Sequence, residues 1–218
     1  MLTEALSYVS PMHRAQRTLE LLNLGCELPN PSHENSSDPK HQRTVPTAKR
    51  HTTAPVTVTD KIREWDYGNY EGITSAEIRA RRKEQGLEEK WDIWTDGCPG
   101  GESPQDVIDR IDSLIREIRE QHHAPYMGKS KDDCKKDGGS TGDVVVVAHG
   151  HILRVFAMRW IGRPLSLTAL IMEAGGVGTL SYEHKRIEEP AIVLGGGFVV
   201  GGEVEAEIER EENEGLVK

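Results

Sequence analysis

The stretch Val144-Val145-Val146-Val147-Ala148-His149-Gly150-His151-Ile152-Leu153-Arg154 decides how the chain is read. Four consecutive valines after an acidic, glycine-rich approach predict a short strand buried on both faces. Ala148-His149-Gly150 stops that strand. Ile152, Leu153, Val155, Phe156, Met158, Trp160 and Ile161 then predict a largely buried helix closed by Gly162. His149 therefore stands where a parallel strand ends and a helix begins. In α/β sheets that edge is where ligands bind, and a helix N-terminus favours anions. The alternative is a strand-end histidine satisfied by backbone, and other residues must decide between the two.

The 218 residues suit one domain with tails. Hydrophobic residues make up 36%, with a mean hydropathy of −0.56, which implies a normal core diluted by polar loops. A net charge of −9 argues against nucleic acid or an anionic membrane surface as the general partner. An acidic protein still binds a phosphate ester where arginines converge locally. Cys26, Cys98 and Cys134 are widely spaced and form no CxxC pair, so neither a zinc site nor a disulfide framework is expected. With no membrane-length apolar run and no signal-peptide pattern in Met1–Val9, a cytoplasmic location is expected.

Upstream, Leu6-Ser7-Tyr8-Val9 reads as a strand, and Ser10-Pro11 as an N-cap with proline in the first turn. The helix is expected to run through Ala15, Leu19, Leu21 and Leu22 to Gly25, with Arg14 in its first turn. Residues at about 26–59 are rich in proline and lack periodicity, so they are expected to form an irregular insertion. Their histidines, His33, His41 and His51, match no metal-ligand spacing and read as loop residues. Order returns near Val56-Thr57-Val58 and Lys61 to Gly72. Thr74 and Glu77 predict a capping box for a helix ending at Gly86. Ser103-Pro104 opens another helix, with Val107, Ile108, Ile111, Leu114, Ile115 and Ile118 on one face. A second surface insertion is expected at about 127–143. Strands follow at Val177–His184 and Ala191–Leu194, and residues 203–218 form an acidic tail. The glycine runs near residues 195–202 contain no GK[ST], so no phosphate loop is expected there. The alternation of strands and helices predicts a three-layer α/β domain over residues 1–202.

Three separated segments supply one chemical set. Arg14 heads a helix, Glu64 is expected at a strand end before an aromatic-glycine turn, and His149 ends another strand. Guanidinium recognises phosphate oxygens in a bidentate way, histidine donates to them, and a carboxylic acid protonates a leaving alkoxide. Each residue alone has a duller explanation: a helix-surface arginine, a solvated glutamate, a capping histidine.

Ser10-Pro11-Met12-His13-Arg14-Ala15-Gln16-Arg17-Thr18, Arg63-Glu64-Trp65-Asp66-Tyr67-Gly68-Asn69-Tyr70-Glu71-Gly72, Gly101-Glu102-Ser103 and Val147-Ala148-His149-Gly150 resemble the histidine phosphatase (phosphoglycerate mutase-like) superfamily. The wording is nearest to its fungal sedoheptulose-1,7-bisphosphatase-like branch. The resemblance implies a three-layer α/β/α fold, metal- and cofactor-free hydrolysis of a small sugar (bis)phosphate, and a phosphohistidine intermediate. It implies Arg14 and His149 as pocket residues, Glu64 as proton donor, and Ser10 and Arg154 as further substrate contacts. It also implies an Arg-His-Gly closing a first strand ahead of Ser10. Only nine residues precede Ser10, and no Arg-His-Gly occurs in the chain. By resemblance, then, the nucleophilic histidine, one pocket arginine, the first central strand and the first helix are missing, and activity is expected to be absent or strongly impaired. The alternatives are a pseudoenzyme that keeps a phosphate-ester site, or a non-catalytic interaction protein using the insertions and tail. Neither oligomeric state nor the preferred ester is legible.

Overall fold

The structure is a computed structural model that describes residues 6–22, 24, 55–87, 90–129, 133 and 142–194. Most of both expected insertions, the expected C′ glycine Gly25 and the whole acidic tail lie outside the described residues.

Strand β1 (Leu6–Val9) is the centre of a parallel sheet. It pairs with β2 (Val56–Val58) through Ser7↔Val56 and Val9↔Val58, and with β3 (Val144–Val147) through Leu6↔Val144 and Val9↔Val147. The alternation of side chains along a strand divides these residues between two cores. Val9, Val145 and Val147 pack with Ala15 and Leu19 of helix α1 (His13–Leu22). Tyr8, Val144 and Val146 join the larger core on the opposite face. Helices on both faces of a parallel sheet give the expected three layers.

The larger core is built on α4 (Pro104–Glu117), which follows the short helices α2 (Ser75–Glu84) and α3 (Ile93–Asp96). Both expected caps are formed. The Thr74 and Ser103 hydroxyls accept from the backbone N–H of Glu77 and Asp106, whose carboxylates reach back to the cap N–H groups. From α4, Val107, Ile111, Leu114 and Ile115 are buried, and the chain continues into a π-helical turn, Ile118–His123. Against them packs α5 (Gly150–Trp160), burying Ile152, Val155, Phe156, Met158 and Trp160. Ile111 is fully buried. Its replacement by alanine is expected to lower stability by about 2–5 kcal/mol in a urea titration, since a cavity adds to the lost transfer energy.

Four expectations change on folding. First, the valine strand is covered on its faces, but only Val147 is buried outright. The far edge of β3 has no partner strand among the described residues, because β4 (Thr179–Tyr182) and β5 (Pro190–Val193) form a separate antiparallel sheet. That pair is anchored by Trp160, whose indole N–H donates to Ser181 O at 3.1 Å, and by Leu180 and Tyr182 against the larger core. Second, α1 starts at His13. The Met12 carbonyl accepts from Ala15 N and Gln16 N, while the Ser10 hydroxyl accepts from Met12 N at 3.3 Å and also pairs with His149. Third, Leu21 and Leu22 at the end of α1 are exposed, by 66% and 49%. Fourth, β4 is shorter than the alternation suggested, and Val177 lies outside it.

The loop carrying Glu64 is clamped from a distance. Glu102 exchanges hydrogen bonds with Asp66: Asp66 N donates to Glu102 Oε2 at 2.9 Å, and Glu102 N donates to Asp66 O at 2.9 Å. Arg110 of α4 grips the same carboxylate through Nε and a terminal nitrogen, at 2.7 and 2.9 Å. Gly68 and Gly101 allow the two backbones to touch. A Cβ on Gly68 would lie 2.2 Å from Gly101 N, and one on Gly101 would lie 2.2 Å from Asp66 O. No helix of the described residues is long and apolar enough to cross a membrane.

Candidate functional site

Adjacent parallel strands end side by side, so the residues after β1 and β3 meet. His149 follows β3 with extended backbone and caps α5, its carbonyl accepting from Leu153 N at 2.9 Å. Arg14 Nε donates to His149 Nδ1 at 3.0 Å, and His149 Nε2 lies 2.7 Å from Ser10 Oγ. A guanidinium only donates, so Nδ1 must be the accepting nitrogen and Nε2 carries the proton, donating to Ser10. Ser10 is fully buried and His149 nearly so, whereas Arg14 is exposed. Its terminal nitrogens have no hydrogen-bond partner among the described residues, which leaves the flat fork of the guanidinium open to a ligand.

Glu64 joins from a third segment. It follows the 3₁₀ turn Asp60–Ile62 within the clamped loop, and so does not sit at a strand end as expected. Its Oε1 accepts from Trp65 N at 3.0 Å and from Ile152 N at 3.2 Å. Ile152 is in the first turn of the helix that His149 caps, so Ser10, Arg14, His149 and Glu64 all gather at one helix N-terminus. The partial positive charge there suits an anion.

Burial, and then the Arg14 charge, push the His149 pKa down to about 4. The imidazole is therefore neutral at pH 7. His123 and His151 are held equally low, also chiefly by burial. Histidines titrating lower folded than unfolded bind fewer protons in the native state. Their contribution to stability is whole above the unfolded value near 6.5 and is lost as pH falls from there toward about 4. A series of urea midpoints is expected to be flat above pH 7 and to drop through that window.

Arg154 is placed differently from the other expected contacts. Its Nε donates to Gly150 O at 3.2 Å, a terminal nitrogen donates to Leu170 O at 3.4 Å, and the guanidinium lies over the Trp94 ring at 4.8 Å. No direct contact with Ser10, Arg14 or His149 is formed. Trp94 packs on His151 at 5.3 Å, and His151 Nδ1 lies 2.8 Å from the Tyr67 hydroxyl. Burial and the charges of Glu64 and Glu71 raise the Tyr67 hydroxyl pKa well above its usual value. This Tyr67–His151–Trp94–Arg154 cluster was not anticipated as a unit. The signal for it was the second histidine of His149-Gly150-His151, two residues along a helix from the first.

A family model, the histidine phosphatase superfamily (branch 1), matches residues 30–127, a span that holds Glu64 but neither Arg14 nor His149. The sedoheptulose 1,7-bisphosphatase of Saccharomyces cerevisiae is 33% identical over 187 residues, covering 70% of this chain and 65% of that protein. An acid phosphatase of Mycobacterium tuberculosis is 35% identical over 144 residues, covering 66% and 60%. The chain thus spans less than two thirds of the length of these relatives. The solved structure of a Mycobacterium tuberculosis open reading frame product superposes with a TM-score of 0.56 at 27% identity, covering 87% of this chain and 70% of that one. With the sheet, the helices and these sequence relatives in agreement, the chain belongs to the histidine phosphatase superfamily.

Proposed function

We propose that the site binds the phosphoryl group of a small phosphorylated sugar, and that the reaction it serves is hydrolysis of that phosphomonoester. The observation that carries the reading is the Arg14–His149–Ser10 chain at the ends of two adjacent strands, with Glu64 on the same helix N-terminus. In this reading the Arg14 fork holds the non-bridging oxygens, and His149, donating its Nε2–H to Ser10 and accepting from Arg14 Nε, aims that fork. Glu64 is the proton donor. As the P–O bond to the sugar breaks, the departing alkoxide takes its proton from Oε2, the carboxyl oxygen not occupied by Trp65 N and Ile152 N. Arg154 serves the more distant part of the ester. The yeast relative's name, a sedoheptulose bisphosphatase, supports a sugar phosphate as the ester.

One observation favours a second, narrower reading for the 218-residue chain itself. Both ring nitrogens of His149 are engaged, and no other imidazole hydrogen-bonds to Ser10, Arg14 or His149 among the described residues. The site then binds a phosphate ester and turns it over poorly, because the covalent route needs a free imidazole in line with phosphorus. A cytoplasmic setting and the absence of nucleic-acid partners belong to the same proposal, the latter following from the charge of −9. Calorimetric titration of inorganic phosphate into the folded chain at pH 7 tests it. One saturable site is expected, and no heat from soluble, folded protein rejects it.

A further inference from the structure

Beside the phosphoryl site, between the start of α2 and the loop before α3, lies a cavity of about 430 Å³. That is within the range of small-molecule pockets. It shares Tyr67 and His151 with the cluster described above, so it opens off the same helix N-terminus that Glu64 and His149 occupy. Its remaining walls have a definite chemistry. Trp91 is fixed by donating its indole N–H to Gly97 O at 2.8 Å and stands edge-on to Tyr70 at 5.3 Å. Ser75 and Glu71 contribute a hydroxyl and a carboxylate with no hydrogen-bond partner among the described residues. Asp92 adds a second carboxylate, and Arg79 is the one cationic side chain in the lining.

We infer that this cavity is a subsite for the uncharged polyhydroxyl end of the ester, and that it disfavours a second phosphate. The inference rests on the phosphoryl site proposed above. Aromatic faces receive the apolar C–H surfaces of a sugar ring, and carboxylates and hydroxyls take its O–H groups. A second phosphate carries about −1.5 to −2 charge at pH 7. It would meet Glu71, Asp92 and nearby Glu64 against Arg79 on the wall and Arg154 beyond His151, a surround that stays net negative, and like charges within a few ångströms repel strongly in a partly desolvated space. His151 gives no compensating positive charge at neutral pH, since burial keeps it uncharged. The discriminating feature is thus the sign of the wall. The resemblance to sugar bisphosphatases points to a doubly phosphorylated substrate, whereas this wall selects a monophosphate end to end.

The test compares inorganic phosphate, ribose 5-phosphate and fructose 1,6-bisphosphate by calorimetry on the full 218-residue chain. Ribose 5-phosphate is expected to bind about 10-fold or more tighter than phosphate, a gain that two or three sugar hydrogen bonds supply. Fructose 1,6-bisphosphate is expected to bind no tighter than ribose 5-phosphate. Ser75→Trp fills the cavity from an exposed position, and should erase the ribose advantage while leaving phosphate affinity unchanged. Glu71→Gln removes one carboxylate, and should improve fructose 1,6-bisphosphate binding several-fold. Intact phosphate binding with no ribose advantage overturns the subsite alone. The subsite is equally overturned if Ser75→Trp leaves the advantage in place, or if the bisphosphate binds best to the unmodified chain. Failure of the unmodified chain to bind phosphate at all overturns the phosphoryl site and this inference together.

Discussion

Replacing Arg14 by alanine is expected to weaken inorganic phosphate binding by at least ~100-fold, because a charge-assisted hydrogen bond is worth about 1.5–3 kcal/mol and the fork can make two of them. Arg14 is well suited to show so large an effect. Its Nε is already spent on His149 Nδ1 at 3.0 Å, which aims the guanidinium plane and leaves both terminal nitrogens for the ligand. The substitution removes two things: the contacts to phosphate and the donor that fixes the His149 tautomer. Arg14→Lys separates the charge from that geometry. A lysine keeps the charge but loses the fork and the fixed Nε contact, so an intermediate loss of about 10-fold is expected. Both variants alter an exposed residue on the first turn of α1, and circular dichroism should show an unchanged fold. Calorimetric curves identical to the unmodified chain would place phosphate elsewhere and remove the central support for the proposed function.

The parts of the site that were legible in the sequence are those where local chemistry fixes position. The valine run and the His-Gly stop located β3, His149 and α5, because a short apolar run that ends abruptly at glycine leaves the chain few other choices. Ser103 and Thr74 announced their helices through side chains that satisfy orphan N–H groups three residues on, which is a property of a few adjacent residues. Arg14 was legible as a first-turn residue even though the helix starts at His13, since either start leaves it beside the strand end.

What escaped the sequence depends on contacts between distant segments. Glu64 was expected at a strand end, but its loop is set by Glu102 and Arg110, about 40 residues further along, and by two glycines whose missing side chains let the loops cross. The Tyr67–His151 pair spans 84 residues and has no local signature. Leu21 and Leu22 continued the apolar pattern of α1, yet periodicity carries no information about where the packed surface stops. The division of the strands into two sheets was hidden for the same reason. Alternation reports which face of a strand is covered and says nothing about which edge is paired.

The largest effect follows from the two hydrogen bonds of the His149 ring. The 218-residue chain, mixed with a phosphomonoester labelled at phosphorus, is expected to form no acid-labile phosphohistidine and to show no burst of the alcohol product. Covalent catalysis needs an imidazole nitrogen with a free lone pair in line with the bond that breaks. In His149 the Nδ1 lone pair is tied to Arg14, and Nε2 carries the proton it gives to Ser10. Reversing this arrangement would require turning the ring inside a nearly closed site, where it is 7% exposed. What remains is attack by water on a phosphoryl group held by Arg14 and protonated at its leaving oxygen by Glu64. Where a nucleophile acts in concert with its partners, its loss costs on the order of a millionfold in turnover, and binding together with electrostatic stabilisation retains a residue of ~10³–10⁴ over the uncatalysed reaction. Slow steady-state hydrolysis without a burst is therefore the expected time course, and Glu64→Gln should lower even that. Quenched-flow sampling with alkaline denaturation, which preserves phosphohistidine, distinguishes the two routes. A stoichiometric adduct on His149, lost in His149→Gln, would mean that this ring turns to become the nucleophile and would reverse its assigned role.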